Sequence, residues 1–268
     1  MVLDPQVLSL ADRVALITGA GAGIGQSTAI CLASFGASVA LCDRDGDALA
    51  QTAKLIEEQG GEAFCEVLDV REHADVERFV GHVADRFEHI DILVNNAGGT
   101  FQSAFQDVSE RGQQALVDLN FTSVTQLVRA SLPHMHDRSS DREPSRNGPS
   151  IVNITSIEAH RAAPGYAIYA AMKAAVVNLS MSLALELGDR NIRVNCVAPD
   201  MIPTPGTGPM DYDTPLRQRG QVDDVAGAVL YLVSPLSAFV TGSTIHVDGG
   251  NAAAGGWRRN EKGGFDLR

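Results

Sequence analysis

The stretch VALITGAGAGIG, residues 14–25, decides the fold, because a short apolar run leads there directly into a glycine-rich turn. The run is brief and partly β-branched and is bounded by glycine, which is typical of a buried strand. Residues 24–35 then follow helical periodicity. A glycine-rich turn between a strand and a helix lets the backbone approach a pyrophosphate, and the helix N-terminus supplies amide donors. The stretch therefore predicts a dinucleotide-binding βα unit, with a tight turn that binds no ligand as the alternative.

The spacing of the glycines distinguishes between two turn patterns. A GxGxxG pattern counted from Gly19 and Gly21 needs a third glycine at the position that Ile24 occupies. The pattern TGxxxGxG fits instead. Its fixed positions are Thr18, Gly19, Gly23 and Gly25.

Short apolar runs alternate with helical stretches along the rest of the chain. Further strands are predicted at 38–41, 63–68, 92–94, 151–154, 192–195 and 244–247, and further helices at 48–59, 74–87, 115–132, 166–187 and 222–233. Because the apolar runs are continuous rather than alternating, we expect a sheet that is buried on both faces, as parallel sheets are. The sequence predicts an α/β fold, a single Rossmann-like doubly wound domain with a seven-stranded parallel sheet flanked by helices.

The whole chain, 1–268, is predicted to be this one domain, with a core of about 13–250 and a C-terminal extension over 251–268. The hydrophilic segment 137–150 is expected to be a surface loop, and the segment 200–219, rich in proline and glycine, a loop that covers a ligand. Trp257 in the extension is expected either to fray into solvent or to dock near the site. In the docked case Arg258 and Arg259 would favour an anionic substrate.

Charge and composition exclude several classes of protein. With 21 basic and 33 acidic residues the formal charge is −12, which disfavours nucleic-acid partners. No run reaches the roughly 18 uninterrupted apolar residues of a membrane span, and the first ten residues lack a signal-peptide pattern. The closest histidines, His134 and His136, would face opposite sides of a helix, so no metal site is predicted. The chain is expected to be cytoplasmic, without nucleic-acid or membrane partners.

An acidic residue ends the second predicted strand. Asp43 lies about twenty residues beyond the turn, where a carboxylate can accept hydrogen bonds from the adenosine ribose hydroxyls. The same carboxylate would repel a 2′-phosphate, which favours NAD over NADP. Arg44 beside it could pair with that phosphate, so NADP remains the less favoured alternative.

A tyrosine and a lysine four residues apart mark a candidate reaction centre. Tyr169 and Lys173 share one face of the helix predicted at 166–187. A nearby cation stabilises a phenolate, so Lys173 is expected to lower the pKa of Tyr169 towards the working pH. A general base that removes a hydroxyl proton needs such a pKa.

Together these motifs resemble the short-chain dehydrogenase/reductase family, and the resemblance runs from about residue 13 to 250. Further matching positions are Asn95-Asn96-Ala97-Gly98 after the fourth strand, Asn120, Ser156, Pro199, Thr204 and Val247-Asp248-Gly249-Gly250. Two features depart from the family pattern: Asp200 follows Pro199 where a glycine is usual, and the connection 205–215 is short.

The resemblance implies a role for each matching residue. Tyr169 would be the acid/base, Ser156 would hydrogen-bond the reacting oxygen, and Lys173 would bind the nicotinamide ribose. Asn120 would hold a water that relays protons. The implied cofactor-binding residues are Thr18, Gly19, Gly23, Ile24, Gly25, Asp43, Asp69, Val70, Asn96, Ala97, Gly98, Tyr169, Lys173, Pro199 and Thr204.

The implied function is that of an NAD-dependent oxidoreductase that interconverts a secondary alcohol and a ketone, assembled as a homotetramer. A hydroxysteroid or a steroid-derived compound is the expected substrate. The alternative is a 3-oxoacyl thioester reductase or 3-hydroxyacyl dehydrogenase. A catalytically idle dinucleotide-binding protein is a third interpretation, which the presence of all four catalytic residues disfavours.

Overall fold

A computed structural model of the chain describes residues 5–138, 145–207, 214–260 and 264–267. Seven strands form one sheet in the order β3-β2-β1-β4-β5-β6-β7, with every neighbouring pair parallel. The strands are β1 Val14–Thr18, β2 Ser38–Asp43, β3 Ala63–Val67, β4 Ile92–Asn95, β5 Ser150–Ile154, β6 Arg193–Pro199 and β7 Thr244–Val247. The predicted doubly wound α/β sheet is confirmed.

Helices cover both faces of the sheet. They are α1 Gly23–Ser34, α2 Gly46–Glu57, α3 His73–Phe87, α4 Glu110–Val117, α5 Ser123–Ser131, α6 Ala167–Glu186, α7 Val222–Val233 and α8 Asn251–Ala254. In β1, Ala15 and Ile17 pack into one core cluster with α1, α2 and α7, whereas Val14 and Leu16 pack into another with α3, α5 and α6. Because alternate side chains enter opposite cores, the strand is apolar at every position.

The helix predicted at 115–132 differs from the one observed. It begins earlier, at Glu110, where the Ser109 hydroxyl caps it by accepting from the Gly112 amide. A π-helical turn, Asp118–Thr122, then separates α4 from α5. The polar residues 110–114 carry little apolar periodicity, so the pattern did not reveal the first turn.

The C-terminal extension forms α8 and an antiparallel hairpin of β8 Trp257–Arg259 and β9 Phe265–Leu267. Trp257 pairs across the hairpin with Leu267, and their side chains are 51% and 68% exposed. The predicted surface loop 137–150 and the predicted ligand-covering loop 200–219 lie partly outside the described residues, at 139–144 and 208–213.

Among the described helices, α6 is the one long and apolar enough, by length and composition alone, to cross a membrane. It packs along β6 and buries the side chain of Lys173, while Met181 and Leu185 on its outer face are exposed.

A buried ionic cluster joins the amino ends of β1 and β4. Asp91, which is 4% exposed, accepts a hydrogen bond from the Val14 amide at 2.8 Å and lies 3.6 Å from the Arg13 guanidinium. His89 contacts the same carboxylate at 3.1 Å. Burial lowers the pKa of Arg13 and the charge of Asp91 opposes that fall. The cluster is stable because each buried charge has a partner.

Replacing Asp91 by alanine should lower the free energy of unfolding by about 3–5 kcal/mol, because it leaves the Arg13 charge buried without its partner. Urea unfolding followed by circular dichroism measures the change. Asp75→Ala is the matched control, since it breaks an exposed pair with Arg78 and should cost at most about 1 kcal/mol. Equal losses in the two variants would contradict the stabilising role of Asp91.

Candidate active site

The predicted site residues gather at the carboxyl ends of the parallel strands. Thr18 ends β1, Asp43 ends β2 and Pro199 ends β6, while Asn96 follows β4 and Ser156 follows β5. Parallel strands bring these ends to one edge of the sheet, where ligands of doubly wound folds bind.

Hydrogen bonds join the glycine turn to the loop after β4. The Thr18 hydroxyl accepts from the amides of Asn96 and Ala97 at 3.1 and 3.0 Å. The Asn96 side-chain amide donates to the carbonyls of Thr18 and Gly19 at 2.9 and 3.0 Å. A Cβ added at Gly25 would overlap the Gly19 carbonyl oxygen. Only glycine permits this close packing at position 25.

The helix that follows the turn offers unoccupied amide donors. Ala22 is the N-cap of α1 and has no side-chain acceptor for the first-turn amides. Gly23 has φ +60°, and a Cβ there would lie 3.1 Å from Thr204 Cγ2. Thr204 therefore covers the turn at Gly23, and the adjoining Ile24 packs partly into the core. Uncapped amides at a helix N-terminus beside glycine are typical of a phosphate site.

Asp43 is held by the turn itself. Its two carboxylate oxygens accept from the amides of Gly21 and Asp45 at 2.9 and 3.0 Å. A Cβ at Gly21 would lie 3.0 Å from the same carboxylate. The contact of Gly21 with Asp43 was missed by the sequence analysis, which treated Gly21 only as part of a pattern that fails.

A second ion pair lies after β3, beside Asp43. Arg71 holds the Asp69 carboxylate through its Nε, at 2.9 and 3.0 Å, and through Nη2. This hydrogen bonding holds the pKa of Asp69 below its usual value, and the charge of Arg44 contributes to the same shift. Val70, next in the chain, is buried. The sequence analysis did not predict that Arg71 pairs with Asp69.

Lys173 is buried and Tyr169 is partly buried, and burial is the largest influence on the pKa of each. The Lys173 ammonium lies 5.7 Å from the centre of the Tyr169 ring and donates to the Ile154 carbonyl at 3.0 Å. Burial lowers the pKa of Lys173 to about 8. Burial raises the pKa of Tyr169, the Ser156 hydroxyl opposes that rise, and the charge of Glu158 adds to it. The expectation that Lys173 lowers the pKa of Tyr169 is wrong for the chain by itself, because desolvation outweighs any attraction.

The side chains of Asn120 and Lys173 both lie close to Gly98. Its side-chain amide donates to the carbonyls of Gly99 and Leu116 at 2.9 and 3.0 Å, and its oxygen accepts from the Gly99 amide at 3.2 Å. A Cβ at Gly98 would lie 3.1 Å from both Asn120 Oδ1 and Lys173 Nζ. Asn120 lies in the π-helical turn, a feature often found at functional sites. The extra residue of that turn brings the fully buried Asn120 towards the site.

An apolar groove adjoins these residues. Tyr166 lies one helical turn before Tyr169, and the carbonyl of Leu116 accepts from Asn120. Phe101 and Phe105 are 45% and 71% exposed. The groove is lined by Phe101, Ser103, Phe105, Val108, Leu116, Gly165, Tyr166, Ala167 and Ile168. In the part of the chain that the structure describes, no group of three or more histidine, cysteine or acidic side chains could hold a metal ion.

Comparisons with known proteins match nearly the whole chain. The family model described as enoyl-(acyl carrier protein) reductase matches residues 19–252. A 3-oxoacyl-[acyl-carrier-protein] reductase of Synechocystis sp. is 36% identical over 90% of this chain and 98% of its own length. The 7alpha-hydroxysteroid dehydrogenase of Escherichia coli strain K12 is 34% identical over 91% and 95%.

Solved structures give the same result. A 7alpha-hydroxysteroid dehydrogenase complexed with NADH and 7-oxo glycochenodeoxycholic acid superimposes with a TM-score of 0.86 at 33% identity, over 93% of this chain and 98% of that one. Levodione reductase superimposes with a TM-score of 0.83 at 28% identity, over 91% and 99%.

Gly25→Ala should weaken binding of NADH by at least about tenfold, or about 1.4 kcal/mol, because the added methyl group would displace the Gly19 carbonyl and deform the turn. Fluorescence titration of bound NADH measures the effect. Gly81→Ala is the matched control, since Gly81 also lies within a helix and a Cβ there meets no atom within 4 Å. Equal affinity for NADH in the two variants would contradict a role of the glycine turn in binding the cofactor.

Proposed function

Because the chain belongs to the short-chain dehydrogenase/reductase family, whose members are oxidoreductases acting on CH–OH groups, we propose that it interconverts a secondary alcohol and a ketone with NAD. The observation that carries the proposal is the arrangement of Ser156, Tyr169, Lys173 and Asn120 at one edge of the sheet. A chain that only binds a dinucleotide has no chemical use for all four.

The four side chains divide the proton chemistry among them. A bound nicotinamide dinucleotide supplies the carbon that takes or returns the hydride. Ser156 holds the substrate oxygen against Tyr169, and the Tyr169 phenol exchanges the hydroxyl proton with that oxygen. Lys173 is directed inward by the Ile154 carbonyl. The closeness of Lys173 Nζ and Asn120 Oδ1 to the same point above Gly98 supports a proton relay from Tyr169 through Lys173 to Asn120.

The glycine turn and its surroundings fit the dinucleotide. The uncapped amides of α1 would bind the pyrophosphate, with Gly19, Gly23 and Gly25 allowing its approach. The remaining proposed contacts are Thr18, Ile24, Asp43, Asp69, Val70, Asn96, Ala97, Gly98, Tyr169, Lys173, Pro199 and Thr204. Oriented by two backbone amides, Asp43 would accept from the ribose hydroxyls and repel a 2′-phosphate. Arg44, next to Asp43, could pair with a 2′-phosphate, so NADP is the less favoured alternative.

An apolar substrate is supported by the groove beside Tyr169. Phe101 and Phe105 expose apolar side chains next to Tyr166. We propose a hydroxysteroid or a steroid-derived compound as the substrate. A 3-oxoacyl or 3-hydroxyacyl thioester is the second candidate, and the two kinds of relative are similar to this chain to nearly the same degree. The rates of NAD reduction with steroid alcohols and with hydroxyacyl thioesters, measured under the same conditions, decide between the two candidate substrates.

We further propose that the enzyme is a cytoplasmic homotetramer. Large apolar side chains are exposed at Met181 and Leu185 on α6 and at Phe239 before β7. Contiguous exposed apolar surface favours association with other protein surfaces. Light scattering of the purified chain measures the assembly.

Tyr169→Phe should reduce kcat by about 10²–10⁴-fold, because the ring remains and the proton-transferring hydroxyl is lost. The affinity for NADH should change little, which fluorescence titration checks. Tyr231→Phe, on α7 and remote from the site, is the control that should retain turnover. Retained turnover in the Tyr169→Phe variant would contradict the proposed acid/base role of Tyr169.

Asp43→Ala should shift the ratio of kcat/KM for NADP over NAD upward by about tenfold or more, because it removes the negative charge that repels the 2′-phosphate. A tenfold change corresponds to about 1.4 kcal/mol. Steady-state kinetics with both cofactors measure the ratio. Asp47→Ala, in the first turn of α2, removes a neighbouring exposed charge and should leave the ratio unchanged. A wild-type preference for NADP would contradict the argument from Asp43.

A further inference from the structure

A chain of polar contacts connects the loop after β5 with the end of β6 and the start of the C-terminal extension. Arg161 Nη2 donates to Glu158 Oε1 at 2.9 Å and pairs with Asp200 Oδ2 at 3.4 Å. The same Asp200 oxygen accepts from Asn251 Nδ2 at 2.9 Å. The Asp200 carboxylate therefore connects the loop after β5, the end of β6 and the start of α8.

Asp200 is held in place from several directions. Its backbone amide donates to the Val247 carbonyl at 3.1 Å, and its other carboxylate oxygen accepts from the Met201 amide at 2.9 Å. Met201 has φ +53°, a conformation that is uncommon for a residue with a side chain. The Asp200 side chain is only 12% exposed. A carboxylate so shielded from water needs donors, and here it has Met201, Arg161 and Asn251.

Glu158, at the other end of this chain of contacts, lies beside Ser156. The Glu158 amide donates to Ser156 Oγ at 3.2 Å, so Glu158 lies on the turn that begins at Ser156. Its carboxylate is 24% exposed and is paired with Arg161. Glu158 therefore lies two residues from Ser156, and its charge adds, after burial, to the rise in the pKa of Tyr169.

The charged and titratable groups near Tyr169 and Arg161 come from several elements. Lys173 lies on its own helix, α6, and Glu158 on the loop after β5. Asp200, at the end of β6, acts on this loop through Arg161. Arg161, which pairs with Glu158, is thus anchored by a second carboxylate, and the charge of Asp248 also acts on it. His160, on the same loop, packs against His246 of β7 with ring centroids 4.6 Å apart.

We propose that Arg161, anchored by Asp200, is a positioning residue that pairs with Glu158 and so reduces the negative charge that acts on Tyr169 and Ser156. Asn251 ties the C-terminal extension to the same anchor. The inference rests on the proposed role of Tyr169 as the acid/base. It also assigns a role to Asp200, which stands where the family pattern has a glycine that could not hold Arg161.

The direct test is the ionisation of Tyr169 in wild type, Arg161→Gln, Glu158→Gln and the double variant. Phenolate absorbance is measured against pH, and each curve is corrected with the same protein carrying Tyr169→Phe. Arg161→Gln should raise the apparent pKa of Tyr169, because Glu158 is then unpaired. Glu158→Gln should lower it, and the double variant should lose most of the upward shift. The pH profile of kcat/KM for alcohol oxidation should follow the same order.

A double-mutant cycle tests the anchor. Asp200→Gly should raise KM for the alcohol severalfold in the wild-type background and have little further effect in the Arg161→Gln background, because coupled residues act non-additively. Arg78→Gln is the matched control, since Arg78 also pairs with an acidic residue three positions earlier at similar exposure. It should move neither the titration nor the kinetics.

Two outcomes would overturn the proposal: identical Tyr169 titrations in wild type and Arg161→Gln, or an upward shift that persists in the double variant. If Arg161→Gln does not fold, Glu158→Gln alone carries the test, because an unchanged titration there also contradicts the proposal. The titration needs no substrate. A shift without turnover on any alcohol therefore supports the positioning role and overturns the proposed reaction.

Discussion

The burial of both faces of the parallel sheet is the constraint on which the site depends. Side chains of β1 enter two separate cores alternately, so neither face can present polar groups to a ligand. Polar side chains that can bind a ligand therefore lie at the ends of the strands, and parallel strands bring all their carboxyl ends to the same edge of the sheet. The glycine turn, Asp43 and Ser156 follow three different strands and still form one site, because the sheet aligns the ends of those strands.

Within this edge, the polar side chains are oriented by backbone groups rather than by solvent. Lys173 is held by the Ile154 carbonyl, Asn120 by the carbonyls of Leu116 and Gly99, and Asp43 by two amides. Such fixed partners reduce the reorganisation that a reaction requires. The cost is desolvation, which disfavours the charged forms of both Lys173 and Tyr169. The electrostatic surroundings of Tyr169 therefore matter as much as its contact with Lys173.

Asp200 and the C-terminal extension give this chain features of its own on a shared fold. The anchor formed with Arg161 and Asn251 connects the Ser156 loop with the segment that follows the catalytic core. Apolar surface at Phe101 and Phe105 lies on another side of the site.

The sequence by itself determined the seven strands and the order of their motifs, because buried parallel strands and a glycine turn leave strong local patterns. It did not reveal the π-helical turn at Asn120, the pairing of Arg71 with Asp69 or the contacts of Gly21. It also predicted the wrong direction for the pKa of Tyr169, since helical spacing shows Lys173 but not the burial of the phenol. The meeting of Glu158, Arg161, Asp200 and Asn251 was decided only by the tertiary structure, because side chains from three separate segments share a carboxylate only once the sheet has aligned those segments.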